Sequence, residues 1–208
     1  MLHTGLEGYE GHGHYAPCTL DDLRTKGYDY WALGHIHKRE VVAESPWVVF
    51  PGNLQGRHIK ETGPKGATLV HVQDGAIKGL EAVTCDVARW DHIVLDITDA
   101  ADEAEVLVRI EQALAAAMKA AADRLLAVRV ELQGSTVLDS VLRTESHRWA
   151  QEIRGRAADI SDEIWIEKLK VRTAPLRLGA AETDDEDTLV AFAERLPEIE
   201  LELSLIHI

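Results

Sequence analysis

Two hydrophobic patterns follow one another along the chain and predict two kinds of structure. In the first 85 residues the apolar runs are short, and glycine or proline ends most of them, which is typical of strands joined by loops. Thr19 and Gly27 have the spacing of the two caps of a short helix. The predicted elements are a strand end in Met1–Leu6, a helix at Leu20–Lys26, strands at Tyr28–Leu33, Arg39–Ala43 and Trp47–Phe50, and a hairpin of Ala67–Val72 with Ala76–Val83.

From about residue 86 the pattern changes to alternating strands separated by amphipathic helices. The predicted strands are His92–Ile97, Leu126–Leu132 and Glu163–Val171, and the predicted helices are Asp102–Arg124 and Thr136–Ala158. This order of elements predicts a small α+β unit with its own core. The residues expected in that core are Val106, Ile110, Leu114, Met118, Ala121 and Leu125 from one helix face, with Trp90, Trp149 and Trp165.

The charge distribution changes at the same place as the hydrophobic pattern. The 208 residues carry a formal net charge of −14, which argues against nucleic-acid binding by bulk charge. Residues 1–85 hold 8 basic and 10 acidic side chains, and the remaining residues hold 14 and 26. We therefore expect a domain boundary near residue 85, a second unit over 86–173, and a linker and C-terminal helix region over 174–202.

The chain shows no sign of a membrane or secretory protein at the level of sequence. No run approaches the roughly 18 apolar residues of a membrane span, and the first residues lack the pattern of a signal peptide. Cys18 and Cys85, the two cysteines, lie far apart, which favours a reducing cytoplasm over a disulfide framework. The expected location is therefore the cytoplasm.

The segment Gly34-His-Ile-His37 is the strongest chemical feature of the sequence. It follows a predicted buried strand, so both imidazoles are expected at a strand end, where open α/β sheets bind ligands. Neutral imidazole is a good ligand for zinc, manganese or iron. The alternative is a pair of exposed loop histidines. A second such pair, His12 and His14, lies in a glycine-rich loop with no strand to hold it.

This segment resembles the last metal motif, Gly-His-x-His, of the calcineurin-like metallophosphoesterases. Leu2-His-Thr4 resembles their isolated metal-binding histidine, and the stretches around 15–33 and 51–66 resemble DNA repair exonucleases of the SbcD and YhaO type. The resemblance implies that residues 1–85 are the C-terminal part of a metallophosphoesterase domain. The fold class implied is a partial α/β metallophosphoesterase β-sandwich sheet, followed by the α+β unit as a capping domain.

The resemblance also implies a site and partners. His3 and His35 would bind one of two divalent metal ions and His37 the other, with manganese the family's preferred ion. The substrate implied is DNA. Candidates to contact it are His12, from its glycine-rich loop, and Arg57 and His58, which follow a glycine-rich turn; a solvated surface explains Arg57 and His58 equally well. The implied protein partner is a coiled-coil ATPase of the SbcC kind, a homodimer is left open, and no membrane is involved.

Three further motifs of the family, Asp-x-His, Gly-Asp-x-x-Asp and Gly-Asn-His, are not found in the sequence. We therefore expect a fragment of a longer nuclease that is inactive by itself. Residues 203–208 resemble a translated sequencing adapter, which leads to the same expectation. Two other functions stay open: a metallophosphoesterase for small substrates, and a non-catalytic module that binds DNA or the ATPase.

Overall fold

A four-stranded sheet is the first structural unit along the chain. The computed structural model describes residues 1–9, 16–122 and 124–176. The first elements are β1 (Leu2–His3), α1 (Leu20–Arg24), β2 (Tyr30–Gly34), β3 (Glu40–Glu44) and β4 (Trp47–Phe50). The strand order is β1-β2-β4-β3; β1, β2 and β4 are parallel, and β3 is antiparallel to β4. The sequence predicted each of these elements to within a few residues.

A long hairpin follows the first sheet, as the Gln73-Asp-Gly75 signal predicts. Its strands are β5 (Gly66–Gln73) and β6 (Ala76–Thr84), which pair in antiparallel fashion. Asp74 and Gly75 at the turn have φ values of 50° and 73°. Positive φ at both central residues is what a tight hairpin turn requires, and aspartate followed by glycine accepts it readily.

The second unit is a three-stranded parallel sheet with helical connections. Its elements are β7 (Ala88–Asp96), α2 (Glu103–Ala121), β8 (Leu125–Thr136), α3 (Asp139–Thr144), α4 (Ser146–Ile160) and β9 (Ile164–Pro175). The strand order is β7-β8-β9, and both pairs are parallel. The predicted alternation of strands and helices is confirmed. The α+β label is wrong for this unit, because strands joined by helical crossovers run parallel and form an α/β layer.

The predicted helix over residues 136–158 needs correction, because β8 is longer than expected and the helix is broken. Gly134 does not end the strand: it has a φ of 107°, and a Cβ atom there would lie 2.3 Å from Thr98 Oγ1. The helical segment is divided near Glu145. The Thr144 hydroxyl group donates to the Ser140 carbonyl oxygen one turn back, a bond that bends helices. The predicted C-terminal helix, and residues 203–208, lie outside the described residues.

The core of the second unit lies between its helices and one face of its sheet. Val106, Ile110, Leu114 and Trp149 are fully buried there, as predicted. Leu125 is 42% exposed, because α2 ends at Ala121 and the helical period does not continue to it. Trp165 is 54% exposed and is likewise not a core residue. Its ring lies on the other face of the sheet, 6.3 Å from that of Trp90.

The two parts of the chain contact each other through a few hydrogen bonds around Gln55 and Trp90. The Gln55 side chain donates to the Ala88 carbonyl oxygen and accepts from the backbone N–H groups of Val87 and Ala88. Trp90 Nε1 donates to the Gly56 carbonyl oxygen over 3.1 Å. The loop after β4 is thereby attached to β7. Within the described residues, no helix is both long enough and apolar enough to cross a membrane.

Candidate metal and substrate site

The candidate site lies at one edge of the first sheet, where three parallel strands end. β1, β2 and β4 end at His3, Gly34 and Phe50, and parallel strands have their carboxyl ends at the same edge. The segment after β2 carries His35 and His37, and the loop after β4 runs from Pro51 to Glu61. Ligand sites in open α/β sheets lie at this edge. The predicted placement of the histidines at strand ends is therefore what the fold provides.

His3 and His35 lie side by side at this edge. Their ring centroids are 5.2 Å apart, and the rings meet edge to face at 76°. Gly34 makes the approach possible, because it pairs with His3 in the sheet and a Cβ atom on it would lie 2.9 Å from His3 Nδ1. His35 itself has a φ of 101°, which non-glycine residues rarely adopt. A strained backbone conformation of this kind is concentrated at functional sites.

His37 is held by a different set of groups. Its Nδ1 atom lies 2.7 Å from Oε1 of Glu61, a carboxylate that is only 7% exposed. The other carboxylate oxygen accepts from Asn53 Nδ2 over 2.9 Å and from the backbone N–H of Arg57 over 2.8 Å. The Lys65 ammonium group donates to the His37 carbonyl oxygen. The structure thus pairs His3 with His35, and it pairs His37 with the loop after β4.

The buried Glu61 carboxylate stays ionised because of the hydrogen bonds that it accepts. Burial by itself would raise its pKa. The bonds from the Arg57 backbone and from the His37 and Asn53 side chains outweigh burial and, with the nearby His58 imidazole, lower the pKa to about 2. Sequence reasoning did not place Glu61 or Asn53 in the site. No spacing rule connects positions 37 and 61, and the loop conformation alone brings them together.

The surface around His37 is basic, in contrast to the chain as a whole. The guanidinium group of Arg57 lies 3.0 Å and 3.4 Å from the two ring nitrogens of His37, and its side chain is 63% exposed. His58 lies 3.5 Å from Glu61 and is half exposed. A cavity of about 200 Å³ beside His37 is also lined by Arg39 and Lys65. These cations suit a polyanionic substrate.

The histidines fit a metal site in part. Imidazole is a suitable ligand, and a carboxylate that accepts from Nδ1 is the usual companion of a metal-ligating histidine. Within the described residues, however, no three or more His, Cys, Asp or Glu side chains form a group that could hold a metal ion. His12 lies outside the described residues. The assignment of His3, His35 and His37 as ligands, and of His12, Arg57 and His58 to substrate, stays a prediction.

Comparison with known proteins points to one family. The family model described as "Metallophosphoesterase YhaO, middle domain" matches residues 90–174, which contain the three parallel strands of the second unit. The chain is also 46% identical over 136 residues to "Uncharacterized metallophosphoesterase YhaO" of Bacillus subtilis (strain 168). Both findings support the metallophosphoesterase family. Members of that family are hydrolases that generally use divalent metal ions, in agreement with the histidine-rich strand ends.

The matches cover only part of each protein, and this limits which properties of the relative can be assigned to this chain. The match with the Bacillus relative covers 65% of this chain and 33% of that protein. The chain therefore spans about a third of the length of the curated relative that it matches. Nuclease activity, manganese, DNA and protein partners are matters for proposal.

Proposed function

We propose that the chain is part of a metal-dependent DNA repair exonuclease of the metallophosphoesterase kind. The observation that carries the proposal is the meeting of His3 and His35 at the carboxyl ends of two parallel strands, with Gly34 leaving room for the ring contact. A structural role for the pair would not need the strained backbone of His35. In the proposed site, His3 and His35 bind one divalent ion, manganese by family preference, and His37 binds a second.

Two bound ions would stabilise the attacking and leaving oxygens of a phosphodiester. The chain's own residues then have separate tasks. His3 and His35 present imidazole nitrogens at the sheet edge, and Glu61 holds His37 in place. Arg57 and His58 are exposed next to this edge, where they can bind backbone phosphates of DNA.

The isolated chain is proposed to be inactive, for a reason of ligand chemistry. Neutral imidazoles do not offset the repulsion between two divalent cations, whereas a bridging carboxylate does. The carboxylate beside His37 is that of Glu61, and its oxygens are committed to hydrogen bonds. The longer protein would act in the cytoplasm with DNA and a coiled-coil ATPase of the SbcC kind.

The proposal is tested in a chimaera of the Bacillus relative that carries this whole chain, His35 and His71 included, in place of the corresponding part of the relative. We expect manganese-dependent degradation of linear duplex DNA from its ends, lost in the His35→Ala chimaera and retained in a His71→Ala control. His71 is exposed on the β5–β6 hairpin and pairs with Glu81. Hydrolysis of a small aryl phosphodiester without any cleavage of DNA would overturn the proposal and favour the small-substrate alternative.

A further inference from the structure

The two carboxylate oxygens of Glu61 have different partners, and one of them faces His37. Its Oε2 atom accepts from Asn53 Nδ2 and from the Arg57 backbone N–H. Both donors have fixed orientations: the Asn53 amide group also donates to the Gln55 carbonyl oxygen, and the Arg57 donor is a backbone group. The Oε1 atom lies 2.7 Å from His37 Nδ1. The carboxylate therefore has a defined rotation, with one oxygen facing the imidazole ring.

Two glycines show that this arrangement is tightly packed. A Cβ atom on Gly56 would lie 2.8 Å from the Glu61 carbonyl oxygen, so the loop passes closely over the segment that carries the carboxylate. A Cβ atom on Gly52 would lie 2.9 Å from the Arg39 backbone nitrogen and 3.1 Å from the His37 carbonyl oxygen. Gly52 thus packs the loop after β4 against the segment after β2, and Gly56 packs that loop against its own end at Glu61. The contact between His37 and Glu61 is built into the fold.

We infer that Glu61 is a positioning residue that fixes the tautomer of His37, with the proton on Nδ1 and the lone pair on Nε2. An ionised carboxylate only accepts hydrogen bonds, so the atom 2.7 Å away must carry the proton. The lone pair on Nε2 is then the ring's remaining ligand position. Its use by a metal ion rests on the proposed function, whereas the tautomer does not.

The guanidinium group of Arg57 is the second neighbour of the His37 ring. A guanidinium group only donates hydrogen bonds, so it cannot bond to the protonated Nδ1 atom, although one of its nitrogens lies 3.0 Å away. The Nε2 lone pair is the acceptor that remains, at 3.4 Å. Arg57 therefore lies beside the ring, nearer to Nδ1 than to Nε2, with an exposed side chain that can turn toward a substrate phosphate. Of the two contacts at Nδ1, the one to Glu61 is the shorter, at 2.7 Å against 3.0 Å, and it is to a group that only accepts, so it decides where the proton lies.

The test reads the tautomer directly in the metal-free 208-residue chain. Long-range ¹H–¹⁵N correlation spectra of the histidine rings are recorded at about pH 8, where an ordinary imidazole is neutral. The His37 signals are identified by their loss in His37→Ala. We expect Nδ1 to show the shift of a protonated nitrogen and Nε2 that of an unprotonated one. A wild-type spectrum with the proton on Nε2 would overturn the inference without any further variant.

The Glu61→Gln variant should reverse the tautomer. The side-chain oxygen of the substituted amide is still required by Asn53 and Arg57, so its NH₂ group faces His37 and donates to Nδ1. The proton then moves to Nε2, and the ligand lone pair is lost from that position. Glu61→Asp, which keeps a carboxylate, should retain the original tautomer. Glu81→Gln is the matched control, because Glu81 pairs with His71 at an exposed position and should not affect His37.

Manganese binding gives an independent second readout. Loss of the oriented imidazole should weaken the affinity of the chain for Mn²⁺ about 10- to 100-fold in Glu61→Gln, as for other partners of metal ligands. If the wild-type chain binds no Mn²⁺ while the tautomer still reverses, the proposed role of His37 as a metal ligand in this chain fails and the inference about Glu61 stands. An unchanged His37 tautomer in a folded Glu61→Gln protein would overturn the inference, whatever the metal affinity.

Discussion

Gly34 lies directly against the imidazole ring of His3, so closely that a Cβ atom at position 34 would come within 2.9 Å of His3 Nδ1. The Gly34→Ala substitution should therefore displace the ring and lower the free energy of unfolding by about 1–3 kcal/mol, as overpacking does. Gly79→Ala is the control, because a Cβ atom at that strand position meets nothing within 4 Å. Urea unfolding measures both variants. Equal losses would show that the close approach to His3 is not what requires glycine.

The backbone of His35 supplies a second prediction. Its φ of 101° suits glycine, and a non-glycine residue there costs on the order of 1 kcal/mol. His35→Gly and His35→Ala both remove the imidazole ring, so their difference isolates the backbone conformation. We expect the glycine variant to be more stable by about 1 kcal/mol in urea unfolding, although neither should bind Mn²⁺ as the wild type does. Equal stability of the alanine and glycine variants would show that the backbone at position 35 is not strained.

Acid should destabilise the protein partly through Glu61. Its pKa is lowered from 4.5 to about 2, so its ionised form contributes stability that is fully present above about pH 4.5. That contribution is lost as the pH falls from there toward about 2. Glu61→Gln has no such group, and its stability should therefore fall less steeply with pH in this range than that of the wild type. Urea unfolding at a series of acidic pH values measures the slopes, with Glu81→Gln expected to follow the wild type.

The sequence predicts the site residues that a strand end positions, and it does not predict those that an irregular loop positions. His3, Gly34 and His35 follow from local patterns, because strand ends, glycine and paired histidines are visible in the sequence. The contact between His37 and Glu61 joins residues 24 positions apart across an irregular loop. Hydrophobic periodicity carries no information about such a loop. The contact of Glu61 with His37 is therefore visible only in the folded chain.

The second unit shows the same distinction at the level of the fold. The alternating strands and the helix stripe at Val106, Ile110 and Leu114 are predicted correctly, because burial imposes a period on them. The extension of β8 past Gly134 depends instead on a close approach to Thr98. The position of Trp165 depends on which face of the sheet carries the helices. Neither of these long-range relations leaves a periodic signal in the sequence.

The buried ion pair of Asp86 provides a stability prediction at the junction between the hairpin and β7. The Asp86 side chain is fully buried and pairs with Arg89 over 3.0 Å and with Arg124 over 3.2 Å. Asp86→Ala would leave the largely buried Arg89 guanidinium unpaired, at a cost of about 3–5 kcal/mol. Asp99→Ala breaks an exposed pair with Arg109 and should cost at most about 1 kcal/mol. Similar losses in urea unfolding for the two variants would contradict this ranking.

Limited proteolysis should distinguish the two parts of the chain. Among the described residues, eighteen form the buried cluster of the second unit, whereas five, including Leu33 and Phe50, form that of the first sheet. Local stability follows buried apolar contact, so the first part should open more often. We therefore expect a protease to cleave within residues 1–80 first and to leave a resistant fragment containing β7–β9, identified by mass spectrometry.

The Gln55 side chain supplies the variant for this experiment. It makes hydrogen bonds to the backbone at Val87 and Ala88 and so attaches the loop after β4 to the second unit. Gln55→Ala should accelerate cleavage of the first part and leave the resistant fragment unchanged. The exposed Gln73→Ala on the hairpin serves as the control and should digest like the wild type. If residues 1–80 survive and the second unit is digested, the first part is the more stable one. The size of the buried cluster would then not determine which part resists the protease.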